Sequence, residues 1–184
     1  SLAIPGVANA IYFNSGQVVF NTHQAGCPFG QYDLESIALH EMGHGLGFLG
    51  LFWVLANAAP QTGSYGSPAV LGGIAGNLPV PFALPALNGD PSIFGRFVHD
   101  ANGVMLTTYP NNSPQLAVAL QSNALAITLP NGAQPAIYAP AQFQPYSSGD
   151  HFAANSLMVP AIGTGVQIHA IDQPVLDVMA MIGW

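Results

Sequence analysis

The sequence predicts an α+β fold in a single domain of 184 residues. Short β-type runs come early, a helix with an apolar stripe follows at about 33–46, and another helix begins near Asp172. Between the two helices the chain is rich in Gly, Pro, Ala, Asn and Ser and shows little periodicity. We therefore expect one domain in two lobes, built from an N-terminal segment (1–50), a loop-rich insertion (51–149) and a C-terminal segment (150–184).

The composition excludes several partners. Arg96 is the sole cation against eight carboxylates, and the net charge is −7. A chain with so few basic residues cannot neutralise the phosphates of a nucleic acid or bind anionic lipid through basic side chains. The apolar run 46–59 is too short to cross a bilayer, so it predicts a buried core segment. We expect a monomer with no nucleic-acid partner and no membrane span.

The remaining elements are shorter and are predicted from local signals. Residues 10–13 and 17–20 are typical of strands joined by an Asn-Ser-Gly hairpin turn. Residues 63–91 predict mainly turns and loop. Further along, the patterns predict a strand at 93–99 with a turn at 100–103, a helix at 115–123, and strands at 125–129 and 136–138.

The helix at 33–46 has clear end signals. Asp33 is a good N-cap residue, and Gly47 suits the left-handed position that ends a helix. Gly43 and Gly45 each cost about 1 kcal/mol in a helix relative to Ala. Their presence indicates close packing or close approach to a ligand, with simple tolerance as the alternative.

This helix carries the pattern His-Glu-x-x-His-x-x-Gly, a zinc-hydrolase signature. Residues four apart lie on one helix face, so His40 and His44 can hold one ion between them. Glu41 is placed to take a proton from an activated water rather than to bind the metal. The alternative is a helix with two partly buried histidines and a coincidental glutamate.

A catalytic zinc site needs a third protein ligand. Glu35 lies in the first turn of the helix, away from the metal face, and is a poor ligand. The residues alone leave four histidines open for the third position: His23, His99, His151 and His169.

The segment 40–48 resembles the metzincin metalloprotease motif as far as its glycine. In most metzincins the third histidine follows three residues after that glycine, but this chain has Gly50 there. The leishmanolysin-like branch has a long insertion at this point, and its third histidine lies shortly before a Leu-Met-x-Pro turn. This chain is similar in having Asp-His-Phe at 150–152 and Leu-Met-Val-Pro at 157–160. The resemblance implies that His151 is the third ligand and that Met158 forms the apolar floor of the site.

The same resemblance implies a fold and an activity. The fold would comprise a small twisted N-terminal sheet, the active-site helix, the insertion, the Met-turn and a C-terminal helix. The activity would be that of a secreted zinc endopeptidase with Glu41 as general base, and an extended peptide would bind beside the strand near 17–20. Two alternatives remain: a secreted zinc-binding or adhesion module without turnover, and a zinc hydrolase acting on non-peptide substrates.

Three further features have competing interpretations. Cys27 is either a thiolate ligand that keeps the site latent or an unreactive loop thiol. The Asp-Ala-Asn-Gly sequence at 100–103 either binds calcium through its oxygens or forms an ordinary Asx turn, which is the simpler explanation. Asp150 is a candidate acceptor for a ligand ring, although its position next to His151 makes that geometry awkward.

Overall fold

The computed structural model has an α+β fold, and it describes residues 20–21, 27, 29–55, 59–66, 89–145 and 147–184. The helices in these ranges are α1 (Leu34–Gly45), α2 (Pro114–Leu120) and α3 (Gln173–Met181). None of them is long and apolar enough to cross a bilayer.

The strands of the described residues form three small sheets. The first pairs β1 (Phe20–Asn21) with β2 (Tyr32–Asp33) in parallel, and the second pairs β3 (Phe52–Leu55) with β4 (Thr62–Tyr65) in antiparallel fashion. The third is antiparallel, with the order β5 (Val98–His99), β6 (Leu125–Ile127) and β7 (Ala136–Ile137). The hairpin predicted from residues 10–13 and 17–20 lies outside the described residues, apart from Phe20 in β1.

Helix α1 begins and ends where the sequence predicts. The Asp33 side chain caps it by accepting the amide N–H of Ser36 at 2.9 Å. At the other end Gly47 has φ +110°, and its N–H donates to the carbonyl of His44 while the N–H of Phe48 donates to that of Gly43. This pair of bonds is a Schellman motif, which ends the helix and turns the chain back.

The hairpin of β3 and β4 corrects the prediction of turns and loop at residues 63–65, while residues 67–88 of that predicted loop lie outside the described residues. The sequence Thr-Gly-Ser-Tyr of β4 has no apolar alternation, so its strand conformation depends on pairing with β3. Gly63 lies directly against α2, since a Cβ there would be 2.6 Å from the backbone nitrogen of Ala117. Glycine at this position therefore lets the helix pack closely on the hairpin.

The strand predicted at 93–99 is wrong over most of its length. Residues Phe94–Phe97 form a 3-10 turn, and only Val98–His99 are in a strand. The Ser92 hydroxyl stabilises this turn, since it accepts the N–H of Gly95 at 2.9 Å and donates to the carbonyl of Gly50 at 3.0 Å. The predictions at 115–123, 125–129 and 136–138 are right in type but longer than the observed elements.

Three phenylalanines join the segments of the chain in one core. Phe48 follows α1, Phe94 lies in the insertion and Phe152 belongs to the C-terminal segment, and each is at most 1% exposed. The ring of Phe48 lies 4.5 Å from that of Phe94 and 5.1 Å from that of Phe152, measured between centroids. The core therefore fixes the end of α1 against the segment that contains His151.

Candidate metal centre

Three histidines converge at the C-terminal half of α1. The Nε2 atom of His44 lies 3.1 Å from that of His40 and 3.1 Å from that of His151. Candidate ligand atoms of all three lie within 4.8 Å of one another. In a tetrahedral zinc site with bonds of about 2.0–2.1 Å, two ligand nitrogens are separated by about 3.3 Å. The observed spacing is close to that value.

The backbone sets the tautomer of each ring. The Nδ1 atoms of His40, His44 and His151 lie 2.9, 2.7 and 2.9 Å from the carbonyl oxygens of Leu157, Phe48 and Ser147, respectively. A carbonyl oxygen only accepts, so each Nδ1 must carry the proton and donate it. In the neutral ring Nε2 then has a free lone pair, and three such lone pairs face one another. This arrangement is suited to a cation.

The environment favours the neutral form of two of these rings. Burial lowers the pKa of His44 to about 3, against the opposing effect of its bond to the Phe48 carbonyl, and neighbouring His40 and His151 lower it further. Burial also lowers the pKa of His151 to about 4, again with a contribution from His40. Neutral imidazole is the form that binds a metal, so these rings are ready to do so near neutral pH.

The insertion brings His151 back to α1 through β7. The carbonyl of His151 accepts the N–H of Tyr138 at 2.8 Å, and the carbonyl of Tyr138 accepts the N–H of Gly149 at 2.8 Å. Phe152 forms a bridge with Ile137 of β7. The third histidine is thus held by backbone pairing to a sheet that lies entirely within the insertion.

Met158 lies fully buried beneath α1. Its exposure is 0%, and its side chain contacts the helix at Gly43, where a Cβ would lie 2.5 Å from the sulfur. Close packing therefore explains Gly43. A Cβ on Gly45 would meet no atom of the described residues within 4 Å, which favours simple tolerance at that position. The carbonyl of Met158 accepts the N–H of Phe152 at 2.7 Å, which ties the methionine to the segment of the third histidine.

The other predicted candidates lie elsewhere. His99 bonds Thr128 at 2.9 Å, and His169 bonds the carboxylate of Asp33 at 2.7 Å. Cys27 contacts the carbonyl of Gln31 at 3.2 Å. None of these three belongs to the cluster of His40, His44 and His151, and His23 is outside the described residues.

The loop at 100–103 has the geometry of an Asx turn. One oxygen of Asp100 accepts the amide N–H groups of Asn102 and Val104 at 2.8 and 3.0 Å, and the other accepts the hydroxyl of Tyr109 at 2.6 Å. The bond from Tyr109 is the largest influence that lowers the pKa of Asp100. Because these bonds use both oxygens, they favour the Asx turn over the calcium site.

Asp150 has a role that the sequence did not indicate. Its carboxylate does not orient a ring but accepts the N–H groups of Gly50 and Leu51 at 2.7 and 3.0 Å. Burial raises the pKa of Asp150 to about 6, although these two amides act to lower it. The partners are 100 and 99 residues distant in the chain, so local sequence carries no signal for this contact.

Comparisons of the chain with protein-family models, curated proteins and solved structures found no match. The arrangement of side chains is therefore the basis for a functional conclusion, together with the resemblance of two short motifs.

Proposed function

We propose that the chain is a zinc-dependent endopeptidase whose metal ligands are His40, His44 and His151. The observation that carries this proposal is the convergence of the Nε2 atoms of His40, His44 and His151, with Glu41 next to His40 on α1. Three imidazoles, two of them on consecutive turns of a helix, are typical of a catalytic zinc site that keeps one position open. The metzincin-like fold, the peptide substrate and secretion are carried over from the motif resemblance and remain predictions.

The chain supplies binding, orientation and proton transfer. The three carbonyl acceptors keep the imidazoles in the tautomer that points Nε2 at the ion. A zinc ion held there would polarise a substrate carbonyl and lower the pKa of a bound water towards about 7. Glu41 is exposed, so its carboxylate is accessible to water and to a substrate. We assign it the role of the base that takes the proton of the attacking water and delivers it to the leaving amine.

Zinc content and casein cleavage of four variants test the proposal. We expect Glu41→Ala to keep zinc and to lose turnover by about 10²–10⁴-fold, the usual contribution of a general base. Glu35→Ala is its matched control, since Glu35 is the other glutamate of the chain and is also exposed on α1. We expect His151→Ala to lose zinc and turnover together, while His169→Ala keeps both.

Two outcomes would contradict the proposal. Full zinc retention in His151→Ala would remove that residue from the ligand set. Stoichiometric zinc without cleavage of casein, gelatin or a broad peptide library would contradict the endopeptidase and favour a zinc-binding module or a hydrolase of another substrate class.

A further inference from the structure

One buried carboxylate connects the two loops that complete the histidine cluster. Asp150 is 5% exposed, and a single oxygen of its side chain accepts the N–H groups of Gly50 and Leu51. A carboxylate that accepts two backbone amides makes charge-assisted hydrogen bonds, about twice as strong as neutral ones. The contact therefore links residues about 100 positions apart with more than ordinary backbone pairing.

Each of the two loops also orients a histidine. The loop after α1 contains Phe48, whose carbonyl holds Nδ1 of His44 at 2.7 Å. The other loop contains Ser147, whose carbonyl accepts both Nδ1 of His151 at 2.9 Å and the N–H of Asp150 at 3.3 Å. Displacement of one loop relative to the other would therefore change the distance between Nε2 of His44 and Nε2 of His151.

The chain packs closely at the two glycines beside this contact. A Cβ on Gly50 would lie 2.4 Å from the carbonyl oxygen of Gly149, and a Cβ on Gly149 would lie 2.4 Å from the ring of Phe52. Leu51 has φ +55°, a left-handed conformation that is rare for a bulky residue. Such a conformation persists only where the surroundings hold it, and the bond from its N–H to Asp150 is one of the contacts that do so.

We propose that Asp150 is a positioning residue that sets the place of His151 relative to His44 by holding the loop after α1 to the loop that carries the third ligand. This inference rests on the proposed metal site. The group that this inference concerns is the acceptor oxygen of Asp150, because that one oxygen bonds both amides.

The test compares Asp150→Ala and Asp150→Asn with Asp90→Ala, which removes an exposed carboxylate as a control. Zinc affinity is measured by competition with a chromophoric chelator, and site geometry by the visible absorption of the Co²⁺-loaded protein. We expect Asp150→Ala to weaken zinc binding by about 10–100-fold, the usual effect of losing a group that supports a ligand, and to change the cobalt spectrum. Asp150→Asn retains an acceptor oxygen but makes only neutral hydrogen bonds, so it should weaken zinc binding less than Asp150→Ala does and keep the wild-type cobalt spectrum.

The outcomes separate this inference from the proposed function. Wild-type affinity and spectrum in a folded Asp150→Ala would overturn the positioning role, and so would loss of the wild-type spectrum in a folded Asp150→Asn. If Asp150→Ala does not fold, Asp150→Ser replaces it. The serine hydroxyl is one bond closer to the backbone than the carboxylate oxygen that accepts both amides, so it cannot take that oxygen's place. An unchanged cobalt spectrum would then be evidence against the role. Failure of the wild type itself to bind zinc or cobalt would instead remove the proposed metal site.

Discussion

Substitution of Gly43 by alanine tests the packing of Met158 against α1, the helix that carries His40 and His44. The new Cβ would lie 2.5 Å from the sulfur of Met158 and 3.0 Å from its terminal methyl carbon. Because this methionine is fully buried, its side chain can move aside only by displacing its neighbours. Overpacking of this kind costs about 1–3 kcal/mol. Alanine gains about 1 kcal/mol in helix propensity over glycine, so the net loss of stability should be about 0–2 kcal/mol.

A double-mutant cycle isolates the contact from the propensity effect. In a Met158→Ala background the clash is absent, so Gly43→Ala should stabilise the protein by up to about 1 kcal/mol. The difference between the two backgrounds is the coupling energy, expected to be about 1–3 kcal/mol. Urea unfolding of the four proteins in the presence of a chelator, which removes any effect of bound metal, measures it.

Gly45→Ala is the control for this cycle. It lies on the same helix, but a Cβ there meets nothing within 4 Å in the part of the chain that the structure describes, so it should stabilise the protein or leave stability unchanged in both backgrounds. Additivity of Gly43→Ala and Met158→Ala within about 0.5 kcal/mol would refute the claim that these residues are in close contact.

Two further predictions concern Asp33, which caps α1, and Gly149, which lies two residues before His151. Burial acts to raise the pKa of Asp33, but hydrogen bonds from Ser36, Gln167 and His169 outweigh it and hold that pKa below its ordinary value of 3.8. The ionised carboxylate therefore stabilises the fold at pH values above about 4. The difference in the free energy of unfolding between wild type and Asp33→Ala should be about 1 kcal/mol or more at pH 7 and should shrink as the pH falls below about 4. A difference that does not depend on pH would contradict this. Gly149→Ala should lower the melting temperature more than Gly132→Ala, since both have φ +83° but only the first places a Cβ against the Phe52 ring. Equal effects in thermal unfolding would contradict this close approach.

The first half of the candidate site follows from local sequence. Residues four apart on a helix share a face, and both ends of α1 have specific caps, so the pairing of His40 with His44 was predictable without a structure. The position of Gly47 likewise follows from the need for a left-handed residue after the helix.

The third histidine could not be chosen from the residues alone. His151 is 107 positions beyond His44, and its place depends on backbone pairing with β7. Only the motif resemblance favoured it over His23, His99 and His169. The structure brings it beside the other two, while its role as a ligand stays a prediction.

The errors in the fold share a physical cause. Strand β4 has no hydrophobic alternation and depends on pairing with β3, and the turn at 94–97 is tied through the Ser92 hydroxyl to the carbonyl of Gly50, 42 residues distant. The contact of Asp150 with Gly50 was equally hidden, because it joins residues 100 positions apart. Non-local hydrogen bonds of this kind leave no trace in periodicity or composition.

X-ray absorption at the zinc edge of the metal-loaded protein tests the central claim most directly. The structure and the proposal together predict three imidazole nitrogens and one further light atom at about 2.0–2.1 Å, and loss of one imidazole in His151→Ala. A sulfur neighbour at about 2.3 Å would instead indicate that Cys27 binds the metal. That result, or a wild-type site with only two imidazoles, would contradict the assignment of His40, His44 and His151 as the ligand set.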